Sequence, residues 1–283
     1  MVAGGVFMKA RPVFASGLRP PLKWAGGKRW LVPHLKTIWA AHSTRRLVEP
    51  LCGGLAVTLG LLPARALLND INPHLVNFFC QVQRGLYIDL PMENDRDLYY
   101  THRSRFNALA GAGEADSAEA AGLFYYLNRT GYNGLCRFNR SGEYNVPFGS
   151  YGKINYTRNF LPYRVLFQSW TFKSVDFELI QLKPNDFIYA DPPYDVDFTH
   201  YSQGGFDWDD QVRLANWLAG HPGPVVLSNQ ATARVTSLYS RLGFKLVYLE
   251  GPRLISCKGE RSPAREVLAL KNLHENINLR GSY

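Results

Sequence analysis

The sequence predicts an α/β protein built on an open, mainly parallel sheet, and three features carry that expectation. Residues 47–51 are an apolar strand candidate that breaks at Cys52-Gly53-Gly54 and continues into a helical-looking run at 55–62. A second buried strand candidate, Ala66-Leu67-Leu68, ends at Asn69-Asp70-Ile71-Asn72-Pro73, so Asp70 falls at a strand tip 17 positions after Gly53. Third, the apolar run Phe187-Ile188-Tyr189-Ala190 runs out into Asp191-Pro192-Pro193-Tyr194.

The other elements follow in order. After Asn72-Pro73, the residues Leu75, Phe78, Phe79 and Val82 have helical spacing. From Arg84 to about Arg158 the strand pattern stops. Helical segments such as 118–127 mix there with a Gly- and Asn-rich stretch at 130–152, which reads as a lobe inserted into the sheet. Strands resume at 170–175 and 187–190. Asp207 is placed to cap a helix running to Leu218, and 224–229 is a further buried strand ending in Ser228 and Asn229. Residues 244–249 and 267–270 can close the sheet.

Glu49, Asp70, Asp191, Ser228 and Asn229 all stand at strand ends, where an open α/β sheet forms its binding crevice. At 191–194, two successive prolines have fixed φ and no N–H, so their carbonyls can face a ligand between an acid and an aromatic ring. Such a slot suits a flat heterocycle bearing an amine. The amine would donate to the Asp191 carboxylate and to a proline carbonyl, with Tyr194 stacked on the ring. An ordinary turn is the competing account of these four residues taken alone.

Thirty-two Lys and Arg against 23 Asp and Glu give a net charge of +9, and its location is informative. Lys9, Arg11, Arg19, Lys23, Lys28, Arg29, Lys36, Arg45 and Arg46 precede the first acid, Glu49. Residues 129–158 add five basic side chains against Glu143, and 241–265 add six against Glu250 and Glu260. Three such blocks meeting at one cleft would bind phosphate, whereas scattered over separate faces they are solvated surface. Cys52, Cys80, Cys136 and Cys257 lack paired spacing and the histidines form no ligand cluster, so neither a metal nor a disulfide framework is expected. With no signal-like or membrane-spanning run, the expected compartment is the cytoplasm.

Six segments together resemble one family. Lys23-Trp24-Ala25-Gly26-Gly27-Lys28, Glu49-Pro50-Leu51-Cys52-Gly53-Gly54, Asn69-Asp70-Ile71-Asn72 and Asp191-Pro192-Pro193-Tyr194 resemble, in order and spacing, the Dam-like (D12 class, alpha-type) DNA adenine-N6 methyltransferases. Residues 128–139 and 142–149 look like that family's target-recognition segment. The likeness implies a Rossmann-like S-adenosylmethionine-dependent methyltransferase sheet with an inserted, mainly helical target-recognition lobe carrying a β-hairpin. The implied divisions are an N-terminal tail at 1–19, a discontinuous catalytic domain at 20–73 and 159–272, a recognition domain at 74–158, and a C-terminal tail at 273–283.

The resemblance also implies roles. Asp191, Pro192, Pro193 and Tyr194 are the expected catalytic residues, and Trp24, Lys28, Glu49, Gly53, Gly54, Asp70 and Asp191 the expected S-adenosyl-L-methionine pocket. Gly53 and Gly54 permit close backbone approach and Asp70 can accept ribose hydroxyls, although a lone Gly-Gly pair would otherwise read as a tight turn and Trp24 as core. Leu55 departs from the family pattern, which has a small residue there. Lys23, Tyr132, Asn133, Leu135, Arg137, Asn145 and Pro147 are expected at DNA, with Arg137 suited to guanine and Tyr132 to wedging between bases. The implied reaction is methylation of a flipped adenine in duplex DNA, with GATC as target, in restriction-modification or solitary DNA methylation. The implied partner is double-stranded DNA, with no membrane, no metal and a monomer favoured. The alternatives are methylation of RNA or of a protein amide, or an inactive DNA-binding relative.

Overall fold

The computed structural model describes residues 17–195, 205–251 and 264–273. Its strands are β1 (Leu47–Glu49), β2 (Ala66–Asn69), β3 (Trp170–Lys173), β4 (Phe187–Ala190), β5 (Val225–Gln230), β6 (Lys245–Gly251) and β7 (Ala264–Lys271). They form one sheet in the order β3-β2-β1-β4-β5-β7-β6. The first five strands pair in parallel, and β7 inserts antiparallel between β5 and β6. Strand order reverses direction between β1 and β4. That is the switch point at which such sheets open a crevice.

Parallel neighbours require crossovers, which helices supply. They are α1 (Val32–Ala40), α2 (Ala56–Leu61), α3 (Pro73–Arg84), α4 (Arg96–Gly111), α5 (Ala118–Thr130), α6 (Leu161–Phe167), α7 (Trp208–Ala219) and α8 (Ala233–Arg241). Side chains alternate across the sheet. Phe187 and Tyr189 of β4 enter the core shared with α1, α2 and α3, while Ile188 and Ala190 enter the one shared with α7 and α8. All four are buried, which is why the strand reads as a continuous apolar run.

Local chemistry sets the helix starts near the crevice. The Asn72 side chain accepts from the His74 and Leu75 amides at the head of α3, and Asp207 forms a capping box with Asp210 at the head of α7. The expected strands and the helices at 74–82, 118–127 and 207–218 are present. The short α1, α6 and α8 were not legible. Nor was α4, which buries only Tyr99, Phe106 and Leu109 along its sixteen residues. Between β2 and β3, α5 is buried along most of its length because α3 and α4 pack against it.

One expectation needs correction. Residues 131–149 do not form a hairpin of paired strands. A 3-10 turn, Tyr132–Gly134, is followed by isolated antiparallel bridges, Phe138↔Tyr144 and Gly131↔Phe148, around a turn in which the Gly142 amide donates to the Asn139 carbonyl at 3.0 Å. Two backbone bonds flank the first bridge, from the Asn139 amide to the Glu143 carbonyl at 2.9 Å and from the Asn145 amide to the Arg137 carbonyl at 3.1 Å, and side chains take up neighbouring groups. Asn139 Oδ1 accepts from the Ser141 and Glu143 amides, and Arg137 donates to the Asn145 carbonyl. The expected tails lie mostly outside the described residues, as do Lys9, Arg11, Arg253, Cys257, Lys258 and Arg261. No helix among the described residues is long and apolar enough to cross a membrane.

Candidate active site and nucleic-acid interface

Asp191 follows β4 at the switch point, with β1 and β5 on either side. The Lys28 ammonium lies 3.0 Å from Asp191 Oδ1, and Ser228 Oγ of β5 donates to the same oxygen at 2.8 Å. Ser228 Oγ also lies 2.9 Å from the Tyr189 hydroxyl. Since Ser228 has a single proton and gives it to Asp191, Tyr189 is the donor in that pair. Both anchors grip Oδ1, and Oδ2 has no hydrogen-bond partner among the described residues. Burial raises the Asp191 carboxyl above its ordinary range, an effect that Lys28 and Ser228 partly offset.

The proline segment is fixed from α7. Gln211 Nε2 donates to the Pro193 carbonyl at 2.7 Å, and Asn229 of β5 orients the Gln211 amide by donating to its Oε1 at 3.0 Å. That leaves the Pro192 carbonyl as the one without a donor among the described residues. The Tyr194 ring lies 4.4 Å from the Lys28 ammonium, and its hydroxyl donates to Glu266 of β7.

The β1–α2 loop is shaped for close approach. Gly53 has φ +46°, and a Cβ at Gly53 or Gly54 would come within 2.7 or 2.8 Å of Trp24 atoms, so only glycine lets the indole lie on the loop. Leu55 adopts a left-handed φ of 64° with its side chain fully buried, so the loop keeps a glycine-like path despite the larger residue. The Asp70 oxygens each accept one backbone amide at 3.0 Å, from Gly53 and from Asn72. Each retains a lone pair for a hydroxyl. Glu49, at the end of β1, is buried and accepts from the Thr58 hydroxyl. Its carboxyl is pushed up to about 8, chiefly by burial and further by Asp191, so Glu49 carries its proton at neutral pH. A hollow of about 470 Å³ beside Trp24 is lined by Arg19, Gly26, Gly27, Arg29, Trp30 and Gly54 among others, with Asp70 and Asp191 outside it.

The expected DNA-contacting residues are divided. Tyr132, Asn133, Arg137 and Pro147 are exposed, and Leu135 and Asn145 partly so. Arg137 donates through Nε to Asn145 Oδ1 at 2.8 Å and through Nη2 to the Asn145 carbonyl at 3.1 Å. Lys23 is held inward: its ammonium donates to the Arg129 carbonyl at 2.9 Å and sits 3.8 Å from the Tyr151 ring centroid. Burial, with the Arg129 charge, lowers its pKa to about 8. Asn128 binds both backbone groups of Lys23 at 2.8 Å, and a Cβ on Gly134 would come within 2.5 Å of the Lys23 Cβ. Lys23 therefore underpins the 131–149 segment.

Residues 24–254 match the D12 class N6 adenine-specific DNA methyltransferases. The chain belongs to this family. The retron Ec67 DNA adenine methylase of Escherichia coli is 35% identical over 266 residues, covering 88% of this chain and 90% of the relative. The DNA adenine methylase of Vibrio cholerae is 36% identical over 275 residues, covering 89% and 96%. The Type II methyltransferase M.MjaIII of Methanocaldococcus jannaschii is 29% identical over 279 residues, covering 86% and 95%. The chain is an adenine-specific DNA methyltransferase whose methyl donor is S-adenosylmethionine. RNA methylation, protein-amide methylation and an inactive relative are thereby set aside.

For a D12 class enzyme the residues present fit that donor. Gly53 and Gly54 let the Trp24 indole lie on the β1–α2 loop as a flat wall beside the crevice, and Asp70 has lone pairs aligned by backbone amides for the ribose hydroxyls. Sequence reasoning missed Tyr189, Gln211, Thr58 and Glu266. Of these only Glu266 left a signal, as a lone acid beside the apolar run Val267-Leu268-Ala269-Leu270.

Proposed function

We propose that the enzyme extrudes an adenine from duplex DNA, within GATC, into the slot formed by Asp191, Pro192, Pro193 and Tyr194. The observation that carries this reading is the attachment of Asp191 through Oδ1 alone. With Lys28 and Ser228 on that oxygen, Oδ2 is presented to one N–H of the target amine, and the Pro192 carbonyl to the other. Tyr194 then covers the base by stacking.

An exocyclic amine is a poor nucleophile because its lone pair is delocalised into the ring. Two acceptors in fixed positions draw its hydrogens and return electron density to nitrogen. When bound, S-adenosylmethionine supplies an electrophilic methyl on a sulfonium. That methyl would pass to the amine nitrogen with its bonding pair left on sulfur, and the proton the nitrogen gives up would go to Asp191 Oδ2, which accepts its hydrogen bond, and from there to solvent. Trp24, Lys28, Glu49, Gly53, Gly54 and Asp70 hold the donor in this reading. Arg137 reads guanine, while Tyr132, Asn133, Leu135, Asn145 and Pro147 complete the contact with DNA and Lys23 braces it. The enzyme acts in the cytoplasm on nucleoid DNA.

Methylation-sensitive sequencing of DNA from cells expressing the chain reports base and sequence context together. N6-methyladenine confined to GATC is the expected outcome. A different context with the same base would overturn GATC and leave the pocket chemistry standing.

A further inference from the structure

Glu266 is a costly residue for its place. It lies on β7 in register with Gln230 of β5 and Leu249 of β6, is 5% exposed, and stands next to the apolar residues of two packed cores. A buried carboxylate costs several kcal/mol unless it is paired and its lone pairs are used. Its neighbour Arg265 is exposed and stacks on Tyr248 at 4.2 Å, so it offers no pairing. Among the described residues the cation that acts on Glu266 is Lys28, already bonded to Asp191 and to the Gly26 carbonyl. One oxygen of Glu266 takes the Tyr194 hydroxyl, and Oε2 is buried with no hydrogen-bond partner among the described residues. Packing alone would be better served by an apolar residue at this position.

We propose that Glu266 is a positioning residue of methyl transfer: by accepting the Tyr194 hydroxyl it clamps the stacking ring to the sheet and against Lys28, so that the ring is in place before the target base arrives. Three contacts meet on that ring's surroundings. Glu266 holds the hydroxyl, Lys28 lies 4.4 Å from the ring centroid, and Gln211 fixes the adjoining Pro193 carbonyl at 2.7 Å. Loss of the clamp frees the ring to rotate while leaving Asp191 and its two anchors intact. The cost therefore falls on the orientation of the base and not on the affinity for S-adenosylmethionine. The inference rests on the reading that Tyr194 stacks on an extruded adenine.

The test compares Glu266→Gln, Glu266→Ala, Tyr194→Phe and the double variant Tyr194→Phe with Glu266→Ala in the full chain. DNA carrying 2-aminopurine at the target position supplies a fluorescence readout. Glu266→Ala and Tyr194→Phe should each lower kcat about tenfold, the effect of one lost hydrogen bond, with S-adenosylmethionine affinity within twofold of the parent. Bound 2-aminopurine should brighten in both as stacking loosens. The double variant should be no worse than either single one, and Glu266→Gln, which keeps an acceptor, should recover most of the rate. Additive losses, unchanged fluorescence, or Glu266→Gln as impaired as Glu266→Ala would each overturn the clamp. Should Glu266→Ala fail to fold, Tyr194→Phe alone still decides, because a rate and fluorescence equal to the parent's rule the clamp out. If 2-aminopurine shows no change on binding the parent enzyme, it is the base-extrusion reading that fails.

Discussion

At the scale of single residues, the asymmetry of Asp191 determines what a substitution does. In Asp191→Asn the amide oxygen takes the place of Oδ1 against Lys28 and Ser228, which turns Nδ2 toward the target amine. Two donors then face each other, and kcat should fall by about a hundredfold or more with DNA affinity retained. Single-turnover methyl transfer measures this, and a loss smaller than tenfold would show that Oδ2 is not the acceptor. Glu49 gives a pH prediction. Its carboxyl is raised from an ordinary 4.5 to about 8, so between those values the unfolded chain ionises while the folded one stays protonated. Its contribution to stability is complete below 4.5, falls as pH rises, and levels off above about 8. Glu49→Gln removes the titration. The variant should gain on the parent by up to about 1.4 kcal/mol per pH unit across that window, as read by denaturant unfolding at pH 5, 6.5 and 8. Parallel curves for the two proteins would refute the assignment.

At the scale of elements, legibility followed burial. The strand Phe187–Ala190 was visible because all its residues are buried and the prolines mark its end, and α7 was visible through Asp207. The 131–149 segment forms isolated antiparallel bridges instead of a longer ladder, with side chains supplying much of its remaining order: Asn139 on two amides, Tyr144 on the Leu135 carbonyl, and Arg137 on Asn145. No pattern of hydropathy records such bonds. Of the pocket, the acids at strand ends could be read directly, whereas Gln211 and Glu266 reach it from elements distant in sequence. The Arg137–Asn145 pair has a consequence for specificity. Asn145 occupies Nε and Nη2, the side edge of the guanidinium, which on the proposed reading leaves the end edge for a bidentate contact with guanine. Arg137→Ala should cost about 1–3 kcal/mol at one base pair of the target and relax selection there. Asn145→Ala should relax the same base pair less, and should add nothing at that position in the Arg137→Ala background. Methylation rates on substrates altered at single positions decide it. Independent effects of the two changes would mean that Asn145 does not act through Arg137.

At the scale of the whole molecule, the sheet separates charges that the sequence lists together. Lys23, Lys28, Arg45 and Arg46 belong to the acid-free N-terminal stretch, yet each is spent inside the protein. Lys23 is on the Arg129 carbonyl and Lys28 on Asp191. Arg45 donates to the Asn185 carbonyl at 2.9 Å, and Arg46 pairs with Asp186, both just before β4 and so at the opposite end of that strand from Asp191. A net charge of +9 therefore overstates what faces phosphate. Lys153 is different: it is exposed and follows Tyr151, whose hydroxyl donates to the Gly131 carbonyl beside the Tyr132–Gly134 turn. Each phosphate neutralised on B-DNA contributes about −0.9 to the slope of log affinity against log salt. Lys153→Gln should thus make that slope shallower by about 0.9 on cognate and unrelated duplexes alike, because a phosphate contact carries no sequence information. Arg45→Gln, which removes the same formal charge from the far end of the strands, should leave the slope unchanged. Titrations at several salt concentrations with both variants separate the contributions of net charge and of placement. Equal changes in slope would mean that DNA responds to the total charge and not to the end of the strands from which it is presented.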